Sequence, residues 1–424
     1  MVSIKVNSIS LEEAGHKIKY DYDIPKELKR YFKDDFFVRY DVSIVGVPES
    51  ILVIPLVANL LPISWMLGFD IVVNEIDDKF YAGMQEVKSI FAKEFPQINQ
   101  QRSHIVAEHL VSNRSEYKTD AMLFSGGVDA YATYFRNFHK PLDLVLIRGA
   151  DISLDDDKQW QTARDSMESE QILEKNSKFY VEMNCREFYT YHVTELVAGG
   201  GWWGKVQHGL SLTCSTAPLT YMLGYGNLSI AATHNVNFRT FWGSMPEIDQ
   251  NTCWADTLVH HDSFDLSRFD KVELIVKNAQ QLPHNLNLRV CYSEFNNGLN
   301  CSECEKCYRT MLAIAICGDD PNKYGFNIGS DIYAKIENLV EKGFPTKGVR
   351  HAWQENYEKL TESKSIFQFS SNSHSKQKLE QKLAEGLALE IVQRTSFTDK
   401  FKRKIIGTFP NAFKVYLKIR GSMR

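Results

Sequence analysis

The sequence predicts an α/β fold built on a parallel sheet, and three observations predict it. From Asp120 onward, short apolar strands alternate with helices, an order that lays helices on both faces of a parallel sheet. The turn Ser125-Gly126-Gly127 follows the first of those strands and opens a helix, and in such sheets ligands bind beyond the carboxyl ends of the strands. Four cysteines crowd into the seventeen positions from 291 to 307, a density that suits a metal-pinned loop.

The chain has 424 residues, of which 43% are hydrophobic and 24% charged, enough apolar material for at least one large core. Its net charge of −4 carries no global signal for a polyanion partner. Three units are expected. The first, 1–112, reads as an α+β domain. Val2, Ile4 and Val6 alternate as a strand does, as do Phe36, Val38, Tyr40, Val42 and Ile44. The run Ile51–Phe69 is close to the ~20 residues of a membrane span. Pro55, Asn59 and Pro62 interrupt it, so it is expected to form a buried strand, a turn and a buried helix. Ile71–Val73 is a further strand, and Phe80–Phe95 carries a helical apolar face.

The second unit, 116–320, holds the alternating pattern. Strands are expected at Ala121–Phe124, Leu142–Ile147, Lys178–Met183 and Leu228–Ala232, and helices at Asp129–Asn137, Leu154–Lys175 and Leu210–Leu223. The third unit, 321–424, reads as helical and polar, with a linker at Ser370–Lys378. From Arg394 nine basic residues face the single acid Asp399. Such a tail is solvated by default; it would also suit nucleic acid or an anionic membrane surface. The N-terminus lacks the apolar h-region of a signal peptide, and the clustered cysteines suit a reducing compartment, so a cytoplasmic location is expected.

Glycines let the chain turn sharply at Ser125-Gly126-Gly127, and the helix N-terminus beyond adds positive potential. Together they suit a phosphate. Ser125 would donate a hydroxyl hydrogen bond, and Asp129 would hold the turn or a magnesium ion. Among the cysteines, Cys291, Cys301, Cys304 and Cys307 have the spacing of a closed zinc site, with an iron–sulfur cluster as the alternative. Cys185, Cys214, Cys253 and Cys317 read as small core residues.

The segment Ser125-Gly126-Gly127-Val128-Asp129 resembles the SGGxDS signature of the ATP-pyrophosphatase (PP-loop) family, which cleaves ATP between its α and β phosphates. Ala130 stands where that family has its last serine. The later run, Arg289-Val290-Cys291-Tyr292 through Cys301, Cys304 and Cys307, resembles the zinc motif of the 7-cyano-7-deazaguanine synthase family of queuosine precursor synthesis. The resemblance covers about 116–320. It implies a PP-loop, Rossmann-like domain, ATP bound by Ser125, Gly126, Gly127, Val128 and Asp129, and zinc held by the four cysteines. The chain departs from that family at Ile147–Asp151 and at Thr233–Asn237, so a different acceptor is expected. The reaction implied is adenylation of a carboxylate or amide oxygen, with pyrophosphate released, followed by attack of a nitrogen nucleophile. A tRNA- or nucleobase-modifying adenylation and an inactive nucleotide-binding module are the alternatives. ATP, Mg2+ and Zn2+ are the cofactors implied; a small-molecule acceptor and a second copy of the chain are the partners.

Other candidates surround the motif. Lys205 follows a glycine-rich bend and would neutralise departing pyrophosphate, or else be a solvated loop lysine. His208 reads as a hydrogen-bonded residue at a helix start, or else as an acid or base. His234 and Asn235 lie just past a strand, on the ligand edge of the sheet. Asp151 would meet ribose or adenine, with Arg148 a weaker candidate. Ser244, Glu247 and Asp249 would line an acceptor pocket, or form a polar turn. His260-His261-Asp262 lacks helical ligand spacing and reads as surface or packing.

Overall fold

The computed structural model describes residues 2–198, 201–291, 298–369 and 376–391. Its centre is one mixed sheet of eleven strands: β1 Ser3–Glu12, β2 Lys17–Asp23, β3 Phe37–Tyr40, β4 Asp70–Asp77, β5 Ile105–Val111, β6 Thr119–Leu123, β7 Leu142–Arg148, β8 Lys178–Met183, β9 Tyr225–Ala231, β10 Cys253–Trp254 and β11 Thr257–Asp262. Across the sheet they run β10-β11-β9-β6-β7-β8-β3-β2-β1-β4-β5. Strands β6, β7, β8, β9 and β11 pair in parallel. Numbered by appearance, those five lie in the order 3-2-1-4-5. The order reverses between β6 and β9, and such a reversal leaves a crevice at the strands' carboxyl ends.

The sheet does not break near residue 112. Strand β3 pairs antiparallel with β8, setting Val38 against Met183 and Tyr40 against Val181. The Asn184 side chain reinforces the seam: it accepts from the Phe37 amide at 2.9 Å and donates to the Asp35 carbonyl at 2.8 Å. The first unit therefore extends the second unit's sheet and shares its core.

The apolar run after residue 50 holds no strand. It forms the helices Glu49–Leu52 and Ile54–Leu67. Pro55 sits in the first turn of the second, where a missing N–H is tolerated, so it starts the helix rather than ending a strand. That helix is buried almost all round, which explains an apolar pattern without a face. Its one buried amide, Asn59, is fully engaged. Asn59 Oδ1 accepts from Gln207 Nε2 at 3.0 Å and from Ser211 Oγ at 2.8 Å, and its Nδ2 donates to the Pro55 carbonyl at 2.9 Å. No helix among the described residues is long and apolar enough to cross a membrane.

Two helices of the second unit are shorter than the periodicity suggests. The helix expected over 154–175 runs Asp157–Ser169, because Asp156 caps it by accepting from the Gln159 amide. The helix expected over 210–223 is two, His208–Cys214 and Ala217–Leu223, parted just before Pro218. Helices Ile332–Val340, Lys347–Glu362 and Lys376–Ala388 form the C-terminal region. The Ser370–Lys378 linker falls largely, and the basic tail from Arg394 wholly, outside the described residues.

Candidate functional site

A cavity of about 550 Å³ opens at the point where the strand order reverses. Its floor comes from the segments that follow the parallel strands: Ser125, Gly127 and Asp129 after β6, Ala150 and Asp151 after β7, Arg186 after β8, and Thr233 after β9. Gly126 has φ +75°, a left-handed conformation that favours glycine. Gly127 caps the helix Val128–Asn137 without any side-chain cap, so no side chain occupies the first-turn amides. Ala130 lines the same cavity.

The cavity wall is cationic. Arg186, Arg268, Arg289 and Lys306 line it, against the acids Asp129 and Asp151. Arg289 is bound to the glycine turn itself: its amide donates to the Gly126 carbonyl at 2.7 Å, and its Nη1 donates to the Ser125 carbonyl at 3.3 Å. Its Nε has no hydrogen-bond partner. Arg186 donates to the Ala150 carbonyl at 2.9 Å and lies over the Trp203 ring. Burial pushes the Lys306 ammonium below its usual proton affinity, and Arg268 beside it adds to the effect.

Asp129 is committed inside the protein. It accepts from Arg268 Nη1 at 2.6 Å and from Lys271 Nζ at 3.0 Å. Burial works against its ionisation, but the two cations outweigh that and hold its carboxyl well below the usual range. An Asp129 role in holding magnesium would compete with both cations.

Beside the glycine turn lies an aromatic end of the cavity. The chain makes a π-helical turn at Trp203–Gln207, in which the His208 amide donates to the Trp203 carbonyl. Such turns occur often at functional sites. The turn presents Trp203 and His208 to the cavity, opposite Trp242. A Cβ at Gly204 would lie 2.0 Å from the Trp242 ring, so glycine is what lets that indole close in. His208 Nδ1, His234 Nδ1 and Trp242 Nε1 are buried without partners.

Burial lowers the proton affinity of both histidines, with Asp151 opposing at His208 and Asp129 at His234. A lowered folded value means that the unfolded chain binds more protons as pH falls below the ordinary 6.5. The neutral rings therefore contribute stability that is present above that pH and lost below it. In urea titrations from pH 8 to pH 5, His208→Gln should be less acid-sensitive than the parent. Parallel pH profiles would remove this account.

Several sequence candidates lie elsewhere. Lys205 does not line the cavity; its aliphatic chain lies over Gly201. Asn235 is buried and holds its own turn, accepting from the Asn237 and Phe238 amides. His234 stands behind the wall, edge-on to Trp242. Arg148 is tied to Asp157 and Glu182. Ser244 and His261 both bond Asp249 Oδ2 at 2.6 Å, a buried cluster behind Gly209, while Glu247 pairs with Arg239. His260 bonds Asn227, and Asp262 accepts from Asn137. Of the cavity's cations, Arg289 and Lys306 had a signal in the sequence, since each stands within two residues of a motif cysteine. Arg186 and Arg268 had none.

The cysteine cluster borders this cavity, and Cys291 lines it. The sulfurs of Cys291, Cys301, Cys304 and Cys307 all lie within 4.8 Å of one another. Neighbouring pairs are 3.3 Å (291 and 301), 3.5 Å (304 and 307) and 3.9 Å (291 and 304, 301 and 307) apart. A tetrahedral zinc with ~2.3 Å bonds sets sulfurs about 3.8 Å apart. The cluster fits one such ion, with no room for several irons. The Cys304 and Glu303 amides donate to Cys301 Sγ at 3.3 and 3.5 Å, as in a metal knuckle. Of the other cysteines, burial pushes the Cys185 and Cys317 thiols up to about 12 and those of Cys214 and Cys253 up as well, which keeps them protonated and inert.

No family model, no curated protein and no solved structure matches the chain.

Proposed function

We propose that the protein is an ATP-dependent, ligase-like enzyme of the PP-loop type that adenylates a small-molecule acceptor. The observation that carries this reading is the glycine turn at the sheet's reversal point, opening with uncapped helix amides into a cavity walled by four cations. That arrangement suits a polyphosphate. In the reaction, a carboxylate or amide oxygen of the acceptor attacks the α phosphorus of ATP. The bond to the α–β bridging oxygen breaks and pyrophosphate leaves. Arg186, Arg289 and Lys306 offset its charge. A nitrogen nucleophile then attacks the activated carbon and displaces AMP. Magnesium would arrive on the phosphates, with Asp151 the acid in the cavity not already paired to cations. The aromatic end, Trp203, Trp242 and His208, would hold the acceptor. Four thiolates leave zinc no open position, so zinc would be structural.

The test is nucleotide turnover with ATP, magnesium and a pooled metabolite extract, resolving AMP from ADP. AMP and pyrophosphate should form, and Ser125→Ala should slow their formation at least tenfold, since it removes a hydrogen bond to a charged group worth about 1.5–3 kcal/mol. ADP and phosphate as products would end this reading. A second reading, a nucleotide-binding module without turnover, is favoured by Ala130 and by the commitment of Asp129 to Arg268 and Lys271. Tight ATP binding with no product under any acceptor would select it.

A further inference from the structure

We infer that the four-cysteine metal centre controls anion binding in the neighbouring cavity, by setting the position of the two cations that flank its ligands. The inference deepens the proposed function and rests on its reading that a polyphosphate is the cavity's ligand.

Arg289 stands two residues before Cys291, and Lys306 stands between Cys304 and Cys307. Both line the cavity. One comes from the segment 288–291, and the other from the first turn of the helix Glu305–Ile316. Cys304 is the N-cap residue of that helix, yet it provides no side-chain cap hydrogen bond. A metal bound to its sulfur would fix the start of the helix in place of a cap, and with it the direction of Lys306.

A second device links the two segments. Asn300 Oδ1 accepts from the Val290 amide at 2.8 Å and the Cys291 amide at 3.2 Å, and Asn300 Nδ2 donates to the Leu288 carbonyl at 2.7 Å. The residue before Cys301 thus grips the backbone on either side of Arg289. The Arg289 amide in turn holds the Gly126 carbonyl of the phosphate turn. A Cβ at Gly127 would lie 3.4 Å from the Arg289 carbonyl, so the two segments are in direct contact. The metal, the cationic wall and the glycine turn form one connected unit. With the metal gone, four sulfurs at van der Waals range lose their common partner, and the 301–307 knuckle loses what closes it. The cavity would then lose two ordered cations together, while the sheet and its core keep their own packing.

The probe is inorganic pyrophosphate alone, titrated calorimetrically into the full chain. Zinc-loaded protein is compared with protein stripped by a chelator and dialysed, and with zinc restored. Arg289→Ala and Lys306→Ala should each weaken pyrophosphate on the order of tenfold, with one zinc per chain retained. Lys306→Arg should recover part of the loss. Lys277→Ala, a surface residue paired with Glu273, should change nothing. Stripping should weaken binding by at least the single-variant factor, reversibly. By linkage, saturating pyrophosphate should raise the protein's zinc affinity, read at equilibrium against a chromophoric chelator with the zinc bound by free pyrophosphate subtracted. If the stripped chain does not stay folded, the two alanine variants and the equilibrium competition with the chelator decide alone. Equal pyrophosphate affinity with and without metal, or in both alanine variants, would overturn the inference. Its failure is separable from that of the adenylation reading: metal-dependent pyrophosphate binding without AMP formation removes only the latter, and AMP formation with metal-independent binding removes only the former.

Discussion

Cys304→Ser should lower the protein's zinc affinity on the order of a hundredfold, and more than any other single substitution outside the cluster. Structural zinc bound by four ligands carries an apparent free energy of about 10–16 kcal/mol, so removing one of four thiolates costs about 3 kcal/mol or more. Cys304 carries a double share, as ligand and as N-cap residue of the helix Glu305–Ile316. Wild-type protein should take up one zinc per chain. Cobalt in its place should give the intense thiolate-to-metal absorption of a tetrahedral four-sulfur site. The helix that follows carries Met311, Leu312 and Ile314 into the core, and its Glu305 accepts from Trp353 Nε1 at 2.7 Å. Fraying of its first turn should therefore expose the 298–307 loop to proteolysis before the sheet unfolds. Substitution of Cys317, outside the cluster, should leave the cobalt spectrum intact. A Cys304→Ser protein with unchanged metal affinity would show that the four sulfurs do not act as one site.

Much of the sheet's parallel half was legible because each strand there is buried and bounded by turn residues. Strands β6 to β9 lie within a few residues of the expected positions. What stayed hidden has physical causes. Strand β11 reads T-L-V-H-H-D, a half-polar segment held as a strand by pairing with β9 on one side and β10 on the other. Without β11 the 3-2-1-4-5 order could not be completed. Helix Ile54–Leu67 lost its helical signature because burial on every side erases the amphipathic face. The glycine turn and the cysteine cluster were legible because their residue types are rare in that spacing. The cavity's cations were not, for an arginine such as Arg186 looks like any surface residue until the fold brings its segment to the strand ends. The same holds for Lys205, whose glycine-rich setting suggested a ligand role while its side chain turns back over Gly201.

Asp129→Asn should destabilise the protein by about 2–3 kcal/mol, less than the usual ~3–5 kcal/mol for breaking a fully buried ion pair, because the Asp129 side chain itself stays 30% exposed to the cavity. The magnitude follows from what remains. Lys271 has a side chain only 2% exposed and Arg268 one 18% exposed. Their one shared carboxylate would be gone, and Lys271 would keep only the Ala232 carbonyl at the end of β9. Because Asp129 stands in the first turn of the helix behind the glycine turn, the loss would also loosen the turn's backbone. The pH dependence has a definite sign. With a folded value held well below the ordinary 3.8, the carboxylate's contribution is present in full above that ordinary value and lost as pH falls through it toward the folded one. Between pH 6 and pH 3 the parent should lose stability that Asp129→Asn has already lost, so the gap between them should narrow. Asp129→Asn combined with Lys271→Met should regain part of the loss, because the double variant leaves one fewer buried charge without a counter-ion. Urea unfolding of the three proteins gives each quantity. A cost below about 1 kcal/mol for Asp129→Asn, together with weakened magnesium dependence of nucleotide binding, would instead mean that the carboxylate leaves Arg268 and Lys271 to serve the metal.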